Sequence, residues 1–198
     1  MGPAVAEIGF DPSPELLRTQ YPEAARIIAA DGPDARELSH LYLHGVDLKR
    51  AADCVEALRP LAAETLSTTA QALWTTAIVC FIKCFGHSNA RQRLTADDVY
   101  SPGTLDREAF DYFKALRDKH VVHDENVFDQ SIVGAVVTAA TAQGRKIHHI
   151  VNLHARIDVL DQPRWANLEL LIKSARAHVE GRISGLTKTL IAELETHS

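Results

Sequence analysis

One segment of this 198-residue chain, Phe110 to Asn126, holds the residues best suited to chemistry. Its apolar side chains recur at three- and four-residue steps, which predicts a helix with one apolar face. At about 100° per residue, Arg117, His120 and Asp124 fall on that same face. Because burying a guanidinium is costly unless it is paired and hydrogen-bonded, this placement predicts a specific role for the polar group.

Two interpretations of this polar group are open. In the first, Arg117, His120 and Asp124 form a buried ion-pair network that only stabilises the protein. In the second, the face lines a cleft or a subunit interface, where Arg117 binds an anion and a histidine transfers protons. Exposure of Arg117 and His123 to a solvent-filled groove would favour the second interpretation, and sealing of both by Asp124 would favour the first.

The run from Arg117 to His123, which reads R-D-K-H-V-V-H, resembles the arginine, polar residue, short gap and histidine pattern of the HEPN superfamily. The resemblance implies a small helical protein. It also implies a metal-independent endoribonuclease, because many members are such enzymes, often as toxins of toxin-antitoxin or phage-defence systems. In that family, the ribose 2′-hydroxyl attacks the adjacent phosphate.

The resemblance assigns the catalytic roles to two residues. His123 would transfer protons, and Arg117 would hold the phosphate and stabilise charge in the transition state. Asp118 takes the polar position where many family members have Asn, and His120 is a second histidine that could replace or assist His123. The supporting residues are Asp118, Lys119, His120 and Asp124.

The expected partners follow from the same resemblance. HEPN-like nucleases build their site from two copies of the helix that carries Arg and His, so we expect a homodimer, with RNA as substrate and an antitoxin or other protein as a further partner. The alternative is a non-catalytic, HEPN-like dimeric interaction module. In that module Arg117, His120 and Asp124 form a structural polar network across the dimer face.

Five further residues are candidates for RNA contact. Arg91 and Arg93 follow the Gly86-His87-Ser88 break as a small basic cluster. A predicted strand presents the other three on one side, namely His148, His154 and Arg156. The default interpretation is a solvated helix end for Arg91 and Arg93 and a polar surface strip for the three strand residues.

No metal site or cofactor is predicted. His40 and His44 stand four residues apart on a predicted helix, but no third ligand follows at helical spacing. A small-ligand or metal protein using His148 and His154 is a third hypothesis, although His149, which a three-histidine site would need, points to the opposite side of the strand. The prediction is therefore a protein without a cofactor.

Composition limits the class of protein. A net charge of −5 and a pI near 6.0 argue against binding nucleic acid by bulk electrostatics, so any RNA contact must be local. Cys54, Cys80 and Cys84 lack metal-binding spacing and are predicted to be reduced core thiols. Neither a signal peptide nor a membrane-spanning stretch is recognisable, which predicts a cytoplasmic protein without a membrane partner.

The elements predict one mainly α domain over residues 1–198, a bundle of four to six helices with one antiparallel β-hairpin, and the motif resemblance implies that this bundle is HEPN-like. Helices are predicted at 14–30, 35–58 and 61–85, then a loop at 97–107 before the helix that carries Arg117. A β-hairpin is predicted at about 131–159, because residues 146–159 alternate strictly, and its Ile, Val and Leu side should pack on the bundle. Asp161 and Pro163 open a long helix at about 162–197, whose surplus apolar length suits an interface.

Overall fold

A computed structural model describes residues 22, 30–61, 67–118, 129–137, 147–156 and 162–196. Within them the chain is mainly helical, with one antiparallel pair of strands, so the predicted fold class is confirmed. The helices are α1 (Pro33–Leu58), α2 (Thr68–Lys83), α3 (Ala96–Val99), α4 (Leu105–Leu116) and α5 (Gln162–Thr196), and the strands are β1 (Asp129–Val137) and β2 (Ile147–Arg156). The helix predicted at 14–30 lies almost entirely outside the described residues.

An aromatic cluster between α2 and α4 forms the centre of the core. The Phe85 and Phe110 rings meet edge to face with centroids 4.8 Å apart, and Trp74 meets Phe113 in the same way. Tyr100 stacks on Phe110 and donates a hydrogen bond of 2.7 Å to the carbonyl of Leu171 in α5. The most apolar helix is therefore central, as predicted, and it fixes the face of α4 that is buried.

Helix α5 is the longest element and runs antiparallel to α1. Arg182 of α5 pairs with Glu37 near the start of α1, and Glu169 pairs with Arg59 just beyond the end of α1. At about 1.5 Å per residue, its 35 residues span about 50 Å, so the predicted long helix is confirmed. None of the helices in the described ranges is both long and apolar enough to cross a membrane.

The segment predicted as a loop at 97–107 is more structured than expected. It contains the short helix α3 and the first turn of α4. The Thr104 hydroxyl accepts a hydrogen bond from the Arg107 amide and caps α4. Asp97 and Asp98 in the first turn of α3 suit the positive end of a helix, a local signal that the Pro-Gly pair at 102–103 obscured.

The β-hairpin is confirmed, but the prediction that one of its sides packs on the bundle is wrong for the described residues. In the register, Val133 lies opposite Asn152 and Ala135 opposite Ile150, with a bulge between Val136 and Val137. Large apolar side chains are exposed on both sides, with exposed fractions of 62% for Ile132, 71% for Val133, 66% for Ile147 and 62% for Ile150. The physical reason lies in β1, whose sequence I-V-G-A-V-V does not alternate and so does not select one face.

Candidate functional sites at the two ends of the helix bundle

The first candidate residue, Arg117, lies at the end of helix α4. The apolar side chains Phe110, Phe113 and Leu116 of α4 are buried on one side, while charged residues occupy the other. Arg117 follows directly after Leu116, and the backbone widens into π-helical geometry at Arg117 and Asp118. Such widened turns are often found at functional sites. The packing of α4 in the core therefore fixes where the Arg117 side chain begins.

The Arg117 guanidinium is neither sealed in the core nor free in solvent. Its side chain is 33% exposed, and Nη1 donates a hydrogen bond of 2.8 Å to Oδ1 of Asp118. The Nε atom is buried and has no hydrogen-bond partner among the described residues. Burying an N–H donor without a hydrogen-bond partner costs free energy. The Nε–H group of Arg117 is such an unsatisfied donor among the described residues.

Asp118 lies between two cations. Its carboxylate accepts hydrogen bonds from Arg117 and from Lys114, the latter at 3.2 Å. Partial burial raises the pKa of this carboxyl, but the two hydrogen bonds and the two nearby cations outweigh burial, and the pKa lies below its ordinary value. The carboxylate is therefore ionised at neutral pH. Two positive charges against one negative charge leave this cluster attractive to an anion.

The other predicted residues of this site are not placed. The described residues do not include four of them, namely Lys119, His120, His123 and Asp124. His148, His154 and Arg156 lie on β2, where the backbone of His154 is opposite Ser131 and that of Arg156 opposite Asp129.

Arg91 and Arg93 differ in what their guanidinium groups contact. Arg91 is buried and donates to Asp47 of α1 at 2.6 Å, and Lys83 lies 3.1 Å from the same carboxylate. Burial raises the pKa of Asp47, but hydrogen bonds from Arg91 and Lys83 lower it below its ordinary value. Arg93 is exposed and contacts Nε2 of His87 at 2.9 Å. Of the two, only Arg93 presents its guanidinium to solvent.

Arg93 borders a cavity of about 440 Å³ that the sequence did not predict. It lies between α1, the segment before α3, and α5, and its polar lining combines histidines, arginines and carboxylates. The lining residues with ionisable side chains are Glu37, His40, His44, Arg93, Asp98, His178 and Arg182. No group of three or more His, Cys, Asp or Glu residues in the described ranges could hold a metal ion.

His40 and His44 hold the backbone of one residue in the cavity wall. His44 Nε2 donates to the carbonyl of Gln92 at 2.8 Å, and His40 Nδ1 accepts from the Gln92 amide at 3.2 Å. The spacing of four residues was recognisable in the sequence as a pair on one helix face. Its partner, separated by about fifty residues in the chain, was not, because only folding brings Gln92 to α1.

The buried His44 makes stability depend on pH. Burial is the main cause that lowers its pKa below the ordinary 6.5, although the hydrogen bond to Gln92 opposes it. The unfolded chain therefore binds a proton at a higher pH than the folded chain does. We expect the free energy of unfolding to fall as the pH drops below about 6.5, which urea titrations at several pH values will measure.

A glutamine at position 44 retains a donor for the Gln92 carbonyl and cannot be protonated. We expect His44→Gln to flatten this pH dependence, whereas the exposed control His87→Gln should not. An unchanged slope in His44→Gln would assign the effect to other groups. The contribution of Asp47 is separate, since its lowered pKa affects stability only below about pH 4.

Comparisons of this chain with protein-family models, with curated proteins and with solved structures give no match.

Proposed function

We propose that this chain is an HEPN-like, metal-independent endoribonuclease that acts as a homodimer in a toxin or phage-defence setting. The observation that carries the proposal is the state of Arg117. Its guanidinium is partly exposed at the end of an amphipathic helix, and its buried Nε has no hydrogen-bond partner in the described part of the chain. The described residues of its cluster are two cations and one carboxylate. If Asp124 enclosed Arg117 in a structural network, we would expect the Arg117 side chain to be buried, whereas it is partly exposed.

The proposed reaction needs no metal. The ribose 2′-oxygen attacks the adjacent phosphorus while a base removes its proton. The bond from phosphorus to the 5′-oxygen then breaks, which leaves a 2′,3′-cyclic phosphate and a 5′-hydroxyl. His123 carries the proton transfer, with His120 as its possible substitute, and Arg117 stabilises the phosphate charge that grows in the transition state. The resemblance to HEPN nucleases also gives Lys119 and Asp124 supporting roles in the site.

The test is cleavage of a structured, end-labelled RNA by the purified chain in EDTA. Cleavage that leaves 2′,3′-cyclic phosphate ends is the expected result. Products with 3′-hydroxyl ends, or cleavage that needs added Mg²⁺, would contradict the mechanism because both point to metal-activated water. If no RNA tested is cleaved, the result favours the second candidate function, a dimeric interaction module.

That second candidate is a dimeric interaction module, and one observation favours it. The β-hairpin exposes Val133 and Ile150 together on one face, and Ile132 on the other. A two-stranded hairpin is marginal on its own, so a second copy of the chain covering this face would stabilise both. The same contact would also serve the homodimer of the nuclease.

We expect Ile150→Lys to convert the dimer to a monomer without lowering the melting temperature of the helix bundle. The new charge would be buried in the dimer but solvated in the monomer. Light scattering at micromolar concentration will report the mass. Leu105→Lys is the matched control, because Leu105 is exposed elsewhere on the surface. A parent chain that is monomeric, or an Ile150→Lys chain that stays dimeric, would remove the hairpin from the interface.

A further inference from the structure

The cavity of about 440 Å³ lies away from the end of α4. The Tyr112 hydroxyl near that end accepts from Arg164 in the first turns of α5. His178, which lines the cavity, lies about 20 Å further along α5 at 1.5 Å per residue. The cavity and the Arg117 cluster are therefore at opposite ends of the helix bundle.

One wall of the cavity offers hydrogen-bond donors. The Arg93 guanidinium contacts Nε2 of His87 and has no carboxylate partner among the described residues. His40 Nδ1 accepts from the Gln92 amide, so the proton of the neutral ring is on Nε2, which has no described partner. Arginine with a neighbouring N–H donor is a common arrangement for holding a phosphate.

The cavity lining also includes a carboxylate that can accept hydrogen bonds. Arg182 pairs with Glu37 and is also close enough to Asp98 for that carboxylate to contribute to its raised pKa. Because Glu37 already compensates Arg182, the exposed carboxylate of Asp98 remains able to accept hydrogen bonds from a ligand. The lining thus combines Arg93, a cation with no carboxylate partner in the described part of the chain, with the exposed carboxylate of Asp98.

We propose that this cavity binds a small phosphate monoester that also carries an amino group, with the phosphate at Arg93 and His40 and the amino group at Asp98. A volume of about 440 Å³ is within the range of small-molecule sites and accommodates a mononucleotide. The proposal does not depend on the ribonuclease function, because it uses none of the residues at the end of α4.

Titration calorimetry with the full chain tests the proposal, using inorganic phosphate and AMP as probes. AMP should bind more tightly than phosphate, because only AMP reaches Asp98. Arg93→Ala should weaken the binding of both probes by about tenfold or more. Asp98→Ala should weaken only AMP and bring it close to phosphate.

Two control variants separate this site from other cationic groups. Arg176→Ala removes a surface arginine that pairs with Glu180, and Arg117→Ala removes the cation of the proposed nuclease site. Arg176→Ala should bind AMP as the parent chain does, and Arg117→Ala should retain the binding event that Arg93→Ala weakens. The proposal is overturned if neither probe binds at millimolar concentration, if Arg93→Ala binds AMP unchanged, or if Arg117→Ala abolishes AMP binding.

Discussion

Replacing Arg117 by alanine is expected to reduce RNA cleavage in EDTA by about a hundredfold or more, with the fold retained. The loss follows because the transition state would no longer have a guanidinium beside the phosphate. The fold survives because the described partner of Arg117, the Asp118 carboxylate, keeps its hydrogen bond to Lys114. The loss of stability should therefore stay below about 1 kcal/mol, as for other partly exposed ion pairs.

Three further variants test whether the loss of cleavage is specific to the proposed site. His123→Ala should abolish cleavage in the same way, and Arg117→Lys should restore only part of it, since lysine keeps the charge but not the planar pair of donors. Arg59→Ala, which removes a surface arginine paired with Glu169, should cleave normally. Activity is measured from initial rates, and folding from thermal denaturation.

The buried-network interpretation predicts the opposite pattern. If Arg117 neutralises His120 and Asp124 in the core, its removal strands them and should cost about 3 kcal/mol of stability. Cleavage that persists in the Arg117→Ala, His123→Ala double variant would refute the nuclease proposal. So would a parent chain that is inactive while the single variants unfold.

Replacing Asp47 by alanine is expected to produce the largest loss of stability, about 3 kcal/mol or more. The carboxylate is buried and binds the Arg91 guanidinium at 2.6 Å, and both side chains are more than nine-tenths buried. Removing Asp47 leaves a buried cation without a partner. Lys83 contributes less because its ammonium group is largely exposed and returns to water.

Urea denaturation of Asp47→Ala beside Asp53→Ala measures this effect. Asp53 is exposed and pairs with Lys49 one turn away, so its removal should cost no more than about 0.5 kcal/mol. Equal losses in the two variants would mean that Arg91 reaches solvent in the folded chain. Arg91 would then regain its standing as a candidate for RNA contact.

Local patterns in the sequence were sufficient for much of the fold. The long helix α5 and the strand predicted from the alternation in β2 each depend on neighbours within a few residues, and both appear in the structure. The three cysteines are free thiols, and burial raises the pKa of Cys84 to about 12, as expected of a core residue. Periodicity and capping are local properties, which is why the sequence alone determined them.

Tertiary structure decided what those elements contact. The Asp47 carboxylate meets Arg91, and His40 and His44 meet Gln92, across gaps of more than forty residues that no spacing rule spans. Arg117 illustrates both levels, because its helix face could be predicted from periodicity, whereas its partial exposure and its pairing with Asp118 result from where α4 ends in the packed bundle.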